Sequence, residues 1–286
     1  VGVNPWDSTI VTRHGAGHFT ATIGDMWRLA FVPQGGVVAA IAARAMETAL
    51  GTGQPLRSFH GVFVSPIPVG PVEVDVSVLR SGRSVSQVQA IAHAPGAEQG
   101  FTALAAFGHE RQGFAYTELA MPVVPPPHDC VSFRDPPPPE SGLPERPVMP
   151  FWNEVFEGRP ALGHAPWDPS ERGAAETATW MRFEQFPADE HGRFDPLALL
   201  VAADMMPNAV FERMAPMEQR WFAPSVDLTV HMIDAPRSEW ILSHSRAHYA
   251  SEGYASAECA LWDPQGDDGP TLLAWANQVM FFTAFE

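Results

Sequence analysis

The chain has 286 residues, 45% hydrophobic and 17% charged, enough to bury a sizeable core without disulfides or structural metals and too apolar for a disordered protein. Its 33 acidic residues against 17 basic ones leave a formal net charge of −16, the wrong sign for holding nucleic acid or an anionic membrane surface. No uncharged apolar run reaches the ~18 residues of a spanning helix, and the opening Val1-Gly2-Val3-Asn4-Pro5 lacks the basic start and apolar core of a signal peptide, so a cytoplasmic location is expected.

Residues 35–50, from Gly35-Gly36-Val37-Val38 to Thr48-Ala49-Leu50, are Ala-rich and apolar on nearly every side and end at Gly51. They predict a helix buried all round, which needs a sheet wrapped about it. Strands follow at 59–65, at 72–79 with Val72, Val74, Val76 and Val78 alternating against Glu73, Asp75 and Ser77, at 85–93 and at 101–108. Ser81-Gly82-Arg83 and Ala94-Pro95-Gly96 supply the turns. Between 122 and 150 prolines are too dense for a helix or a central strand, with runs at 125–127 and 136–139, and an extended connector is predicted.

The same order then returns. Asp195-Pro196 reads as an N-cap with proline at the first helical position, 197–206 is again apolar and helical, and strands are predicted at 225–233, 240–249, 254–262 and 272–282. Leu79 to Ser86 and Tyr249 to Ser256 occupy the same turn in the two halves. This is an α+β chain, an internal duplication of a long helix wrapped by an antiparallel sheet. It divides into an N-terminal repeat (1–121), a proline-rich linker (122–150) and a C-terminal repeat (151–286).

That order is the order of a double hotdog fold, and here the resemblance becomes specific. Residues 34–93, from Gln34-Gly35-Gly36 through Ser58-Phe59-His60 and Val69-Gly70-Pro71 to Arg80-Ser81-Gly82-Arg83-Ser84, resemble the first half of the acyl-CoA thioesterase II family, and residues 194–282 resemble its second half. The resemblance implies hydrolysis of a fatty or other acyl-CoA thioester by an activated water, without a covalent acyl-enzyme, a metal or a cofactor, in a homo-oligomer. Its water-activating acid, hydroxyl and glutamine fall on Asp204 in Val201-Ala202-Ala203-Asp204-Met205, on Ser225 in Pro224-Ser225-Val226, and on Gln278 in Asn277-Gln278-Val279. The family usually has threonine where Ser225 stands, and a shift of four residues would bring Thr229 there, so both hydroxyls stay open.

The residues also speak for themselves. Asp204 is the sole charge in an apolar helical stretch, where a buried carboxylate needs hydrogen bonds or water, although a solvent-facing acid beside Pro207 is an equal reading. Gln278 lies in an apolar strand where its amide must find partners, structural or catalytic. Ser225 alone reads as a turn hydroxyl, and Asp227 is a competing acid. Gly35, Gly36, Ser58 and His60 are the candidates for substrate contact. The glycines open a helix whose N–H groups can face a developing oxyanion, while a lone strand histidine is more often structural. The first half has Ala42, Ala43 and Arg44 where the second has Asp204, so one site per chain is expected.

Other chemistries fit poorly. There is no GxSxG elbow and no GxGxxG fingerprint. His14 and His18 have metal-like spacing across a glycine turn, but no metal site is expected. His244 and His248 read as polar neighbours. A hotdog hydratase would need a histidine where Ala198 stands. Cys130 and Cys259 read as two buried thiols. Nine Trp and 18 Phe suggest a roomy apolar interior for an acyl chain. Of the arginines, Arg44, Arg80 and Arg83 are placed to meet coenzyme A phosphates, though surface solubility explains each as well. The alternative to an enzyme is a non-catalytic double-hotdog protein that binds acyl thioesters or supports a pathway. Apolar sheet edges favour a homo-oligomer.

Overall fold

The computed structural model describes residues 4–142, 148–165, 167–168, 170, 173–214, 220–266 and 269–285. Residues 143–147 of the proline-rich stretch and the first three residues lie outside it. In chain order the main elements are β1 (Thr12–Arg13), β2 (His18–Ile23), helix α1 (Gly35–Leu50), β3 (Leu56–Phe63), β4 (Gly70–Arg80), β5 (Val85–His93), β6 (Phe101–Gly108), β7 (Phe156–Leu162), β8 (Glu176–Phe183), helices α2 (Leu199–Ala203) and α3 (Pro207–Met214), β9 (Asp227–Met232), β10 (Ile241–Ser251), β11 (Tyr254–Gly266) and β12 (Gly269–Phe281). The twelve strands form one antiparallel sheet in the order β1-β2-β4-β5-β6-β3-β9-β12-β11-β10-β8-β7. The duplication is visible in that order: β3 meets β9 at the centre, with Thr229 opposite His60 and Asp227 opposite Val62, and each half then runs outward in the same succession. The architecture is the double hotdog.

The central helix forms for the reasons its sequence gives. Gly51 takes the left-handed conformation (φ 61°) that closes α1, with its N–H on the Glu47 carbonyl. Residues 36–43 are fully or almost fully buried against the sheet and α2. The second helix departs from expectation. Instead of running to Met206 it begins as a 3₁₀ turn at Pro196–Ala198, becomes α-helical at Leu199–Ala203 and stops at Asp204, whose ψ of 43° is not helical. Pro207 is the cause: it has no N–H to give, its ring would clash with the carbonyl four residues back, and it disfavours helix at Met206. The chain therefore breaks and restarts as α3.

Several strands are longer or shorter than predicted, and β1, β2, β7 and β8 were not foreseen. In β4 the alternation holds for Val72 and Val74, fully buried, but Val78 is exposed because the strand overhangs the core. Ser225 precedes β9 as an isolated bridge to Met280. The connector is extended with single 3₁₀ turns at Pro127–Asp129 and Pro139–Ser141, and it is a structural cover. Pro125 accepts the Trp180 indole N–H, Pro127 and Cys130 carbonyls accept Arg159, and Met121, Val124 and Cys130 pack on a satellite core of Ala178, Trp180, Leu242 and Trp262.

Two expectations are corrected. Cys259 is buried, but Cys130, in the connector, is only half-buried. The sheet ends are not open apolar edges: β1 has two residues, and β7 is met by the connector through the Phe133 N–H on the Gly158 carbonyl. Among the described residues no helix is long and apolar enough to cross a membrane.

Candidate active site

Asp204, Ser225 and Gln278 converge. Asp204 Oδ1 accepts the Ser225 hydroxyl at 3.0 Å and the Gln278 amide at 2.6 Å, and the same amide nitrogen donates to Ser225 Oγ at 2.5 Å. The local folding explains the meeting. The break at Pro207 leaves Asp204 at the end of α2, the Ser225–Met280 bridge sets the hydroxyl beside β12, and Gln278 lies two residues along that strand on the same inner face. Asp204 and Gln278 are buried, 7% and 1% exposed, while Ser225 is half-buried at the cavity wall. Gln278 Oε1 is buried without a partner.

The first repeat completes the site. The backbone N–H groups of Gly35 and Gly36, at the positive end of α1, face the Asp204 carboxylate and favour its charged form. Gly35 also lines the cavity beside Asp204, at the place the sequence assigned to substrate contact. Gly35 has no room for a side chain: a Cβ there would lie 2.7 Å from Asp204 Oδ2 and 2.8 Å from the Phe63 ring. Burial pushes the Asp204 carboxyl up to about 6, against the opposing hydrogen bonds from Gln278, Ser225, Gly36 and Gly35.

Gln34 was not singled out by sequence reasoning, yet it belongs to the site. Its amide, 2% exposed, donates to the carbonyls of Val201 (3.1 Å) and Asp204 (3.2 Å) and approaches Asp204 Oδ2 at 3.3 Å. It supplies donors to the end of α2, where the broken helix leaves carbonyls without intrahelical partners. The only signal in the sequence was a buried-type position beside two glycines.

Other candidates lie elsewhere. His60 and Ser58 share the outer face of β3, opposite Phe59 and Phe63, and His60 Nδ1 is 2.8 Å from Thr229 Oγ1 across the central strand pair. Neither faces the carboxylate, and Thr229, committed to His60 on that outer face, gives way to Ser225. Asp227, the first residue of β9, accepts the Val279 N–H at 2.7 Å. His14 bonds Thr20, and His18 bonds Asp75. His244 and His248 take Glu176 and Glu258. Arg44 is engaged by Glu47 and Asp195 rather than free for a phosphate. Asp195 accepts from Trp6, Arg44 and the Leu197 N–H and is structurally used up.

A cavity of about 270 Å³ opens beside Asp204 and Ser225 between the repeats, walled by Val38, Phe63, Ile67 and Phe101 from the first and Pro207 and Phe222 from the second. The expected roomy interior is thus mostly filled by aromatic packing. A larger recess of about 390 Å³, around Arg83 and His109, lies at the far end of β6 among exposed residues.

This arrangement suits base-assisted attack of water on an acyl carbon: a carboxylate poised between protonation states near neutrality, neutral groups fixing it, and an apolar cavity at its side. Residues 23–108 match the family model for the acyl-CoA thioesterase N-terminal domain, and residues 127–282 that for the C-terminal domain. No curated protein matches. A hot dog fold protein of unknown function from Alicyclobacillus acidocaldarius is 24% identical with a TM-score of 0.76, covering 98% of both chains. The acyl-CoA thioesterase II TesB2 of Mycobacterium marinum is 18% identical with a TM-score of 0.72, again over 98% of both. The dehydratase domain of RzxB from Pseudomonas fluorescens is 13% identical with a TM-score of 0.52, over 93% of this chain and 94% of that one. These likenesses show the fold, which is shared by more than one chemistry.

Proposed function

The chain belongs to the acyl-CoA thioesterase family and is a thioester hydrolase, and on that premise we propose that Asp204 is its general base, with Ser225 and Gln278 fixing the carboxylate and the attacking water. The observation that carries this is the buried carboxylate, raised to about 6 and held by donors from both repeats at the wall of an apolar cavity.

Water entering the cavity gives a proton to Asp204 as its oxygen bonds to the acyl carbon. The carbon–sulfur bond then breaks, and the proton passes to the leaving thiolate, giving free acid and coenzyme A. Coenzyme A thioesters place the enzyme in the cytoplasm in this reading. It also takes the protein as a homo-oligomer, supported by the exposed Phe114 (91%) and Tyr116 (77%) on the strap that leaves β6; light scattering giving a monomer mass would remove that part.

The test of the base is thiol release from a panel of acyl-CoAs with parent and Asp204→Asn side by side. Parent turnover that falls by about 10²–10⁴ in the variant is expected for loss of a general base. Turnover unchanged in Asp204→Asn would place the base elsewhere.

A further inference from the structure

The shape of the cavity says more about the substrate than the chemistry does. Its volume of about 270 Å³ sits just below the roughly 300–1,000 Å³ of sites that enclose drug-sized ligands. Only the acyl end of a thioester fits, with the nucleotide half outside. The mouth is marked by Val64 and Phe281, both partly exposed. One wall is a row of rings in succession. Phe63 stands half-buried beside the carboxylate, both within 3 Å of the point where a Gly35 Cβ would be. Phe101 follows at 4.7 Å between centroids and is fully buried, and the fully buried Phe59 lies 6.1 Å beyond it, nearly parallel. Phe101 is locked there because Gly61 lets its ring lie on the β3 backbone, where any Cβ would come within 2.2 Å of it.

We infer that this enzyme acts on compact acyl groups, a short aliphatic chain or a single ring, and that Phe63 is the residue that sets the limit. The inference rests on the hydrolase reading above. A long chain leaving the thioester carbon meets Phe63 first and the closed-packed Phe101 behind it, and a close-packed interior does not yield space without loss of contacts. Phe63 is the movable member of the row, because it alone borders the cavity without full burial.

The experiment compares kcat/KM for acetyl-, butanoyl-, octanoyl-, palmitoyl- and benzoyl-CoA in the parent, Phe63→Leu and Phe63→Trp. The parent is expected to favour acetyl, butanoyl or benzoyl over palmitoyl by at least about tenfold, the scale at which apolar pockets discriminate by methylene count. Phe63→Leu then raises the octanoyl-to-butanoyl ratio and Phe63→Trp lowers it. A parent that turns over palmitoyl-CoA as fast as butanoyl-CoA, or variants that scale every substrate equally, would overturn the inference while leaving the hydrolase intact. Absence of thiol release across the whole panel would instead remove the hydrolase and this inference with it.

Discussion

A carboxyl group with a folded pKa near 6 and an ordinary value of 3.8 binds fewer protons unfolded than folded between those values. Asp204 therefore costs stability as pH rises through that window, on the order of 3 kcal/mol by neutrality. Ser225, Gln278, Gly35, Gly36 and Gln34 all donate toward it and keep the cost from being larger. The rate should follow the ionised form, rising with pH through about 6 and levelling above. Gln34→Leu removes a donor to the charged form, so the midpoint should move up, with kcat reduced more near pH 6 than at pH 8. A pH–rate profile checks both. A loss of the same size at every pH would mean that Gln34 only packs.

Between elements, the close approach of α1 and α2 depends on Gly36, where a Cβ would stand 2.5 Å from the Val201 Cα and 2.6 Å from the Leu200 carbonyl oxygen. These are backbone atoms and cannot swing aside. Gly36→Ala should lower stability by about 1–3 kcal/mol in urea unfolding as the helices are forced apart. Gly35→Ala meets the Asp204 carboxylate and the Phe63 ring, so its main loss should be in turnover. Equal stability losses with activity preserved in both would contradict this division. The elements legible in the sequence were those whose signals are local. Gly51 marked the end of α1, and the strands predicted at 85–93 and 101–108 are β5 and β6 to the residue. β2 went unread behind the glycine turn at 15–17, and β7 and β8 behind the prolines of the connector. The end of α2 was also available, in Met206-Pro207, but the apolar run masked it. Asp204, Ser225 and Gln278 were legible through family order. Ser58 and His60 misled because strand parity turns both to the outer face. Gln34 stayed hidden because its partners lie 167 and 170 residues away, a relation no local pattern carries.

At the scale of the molecule, the site exists because two repeats interlock. The first supplies Gln34, Gly35, Gly36 and Phe63, and the second supplies Asp204, Ser225 and Gln278. Away from the site a second junction ties the same halves: Asp195, 2% exposed, accepts from the Trp6 indole N–H and from Arg44 while capping the 3₁₀ turn that leads into α2. Trp6 and Trp27 of the first half continue this contact into Phe183 and Phe151 of the second. Arg44 keeps Glu47 as a partner without Asp195, but the Trp6 N–H does not, and the turn loses its cap. Asp195→Ala should therefore cost about 2–5 kcal/mol in unfolding free energy. Because Asp195 holds the halves together and plays no part in the chemistry, the folded variant at low temperature should retain the parent pH midpoint and acyl preference, with loss of activity only on warming. Calorimetry beside kinetics at two temperatures checks this. A stable Asp195→Ala protein without turnover would place Asp195 in the reaction and bring this chain nearer to the hydratase branch of its fold.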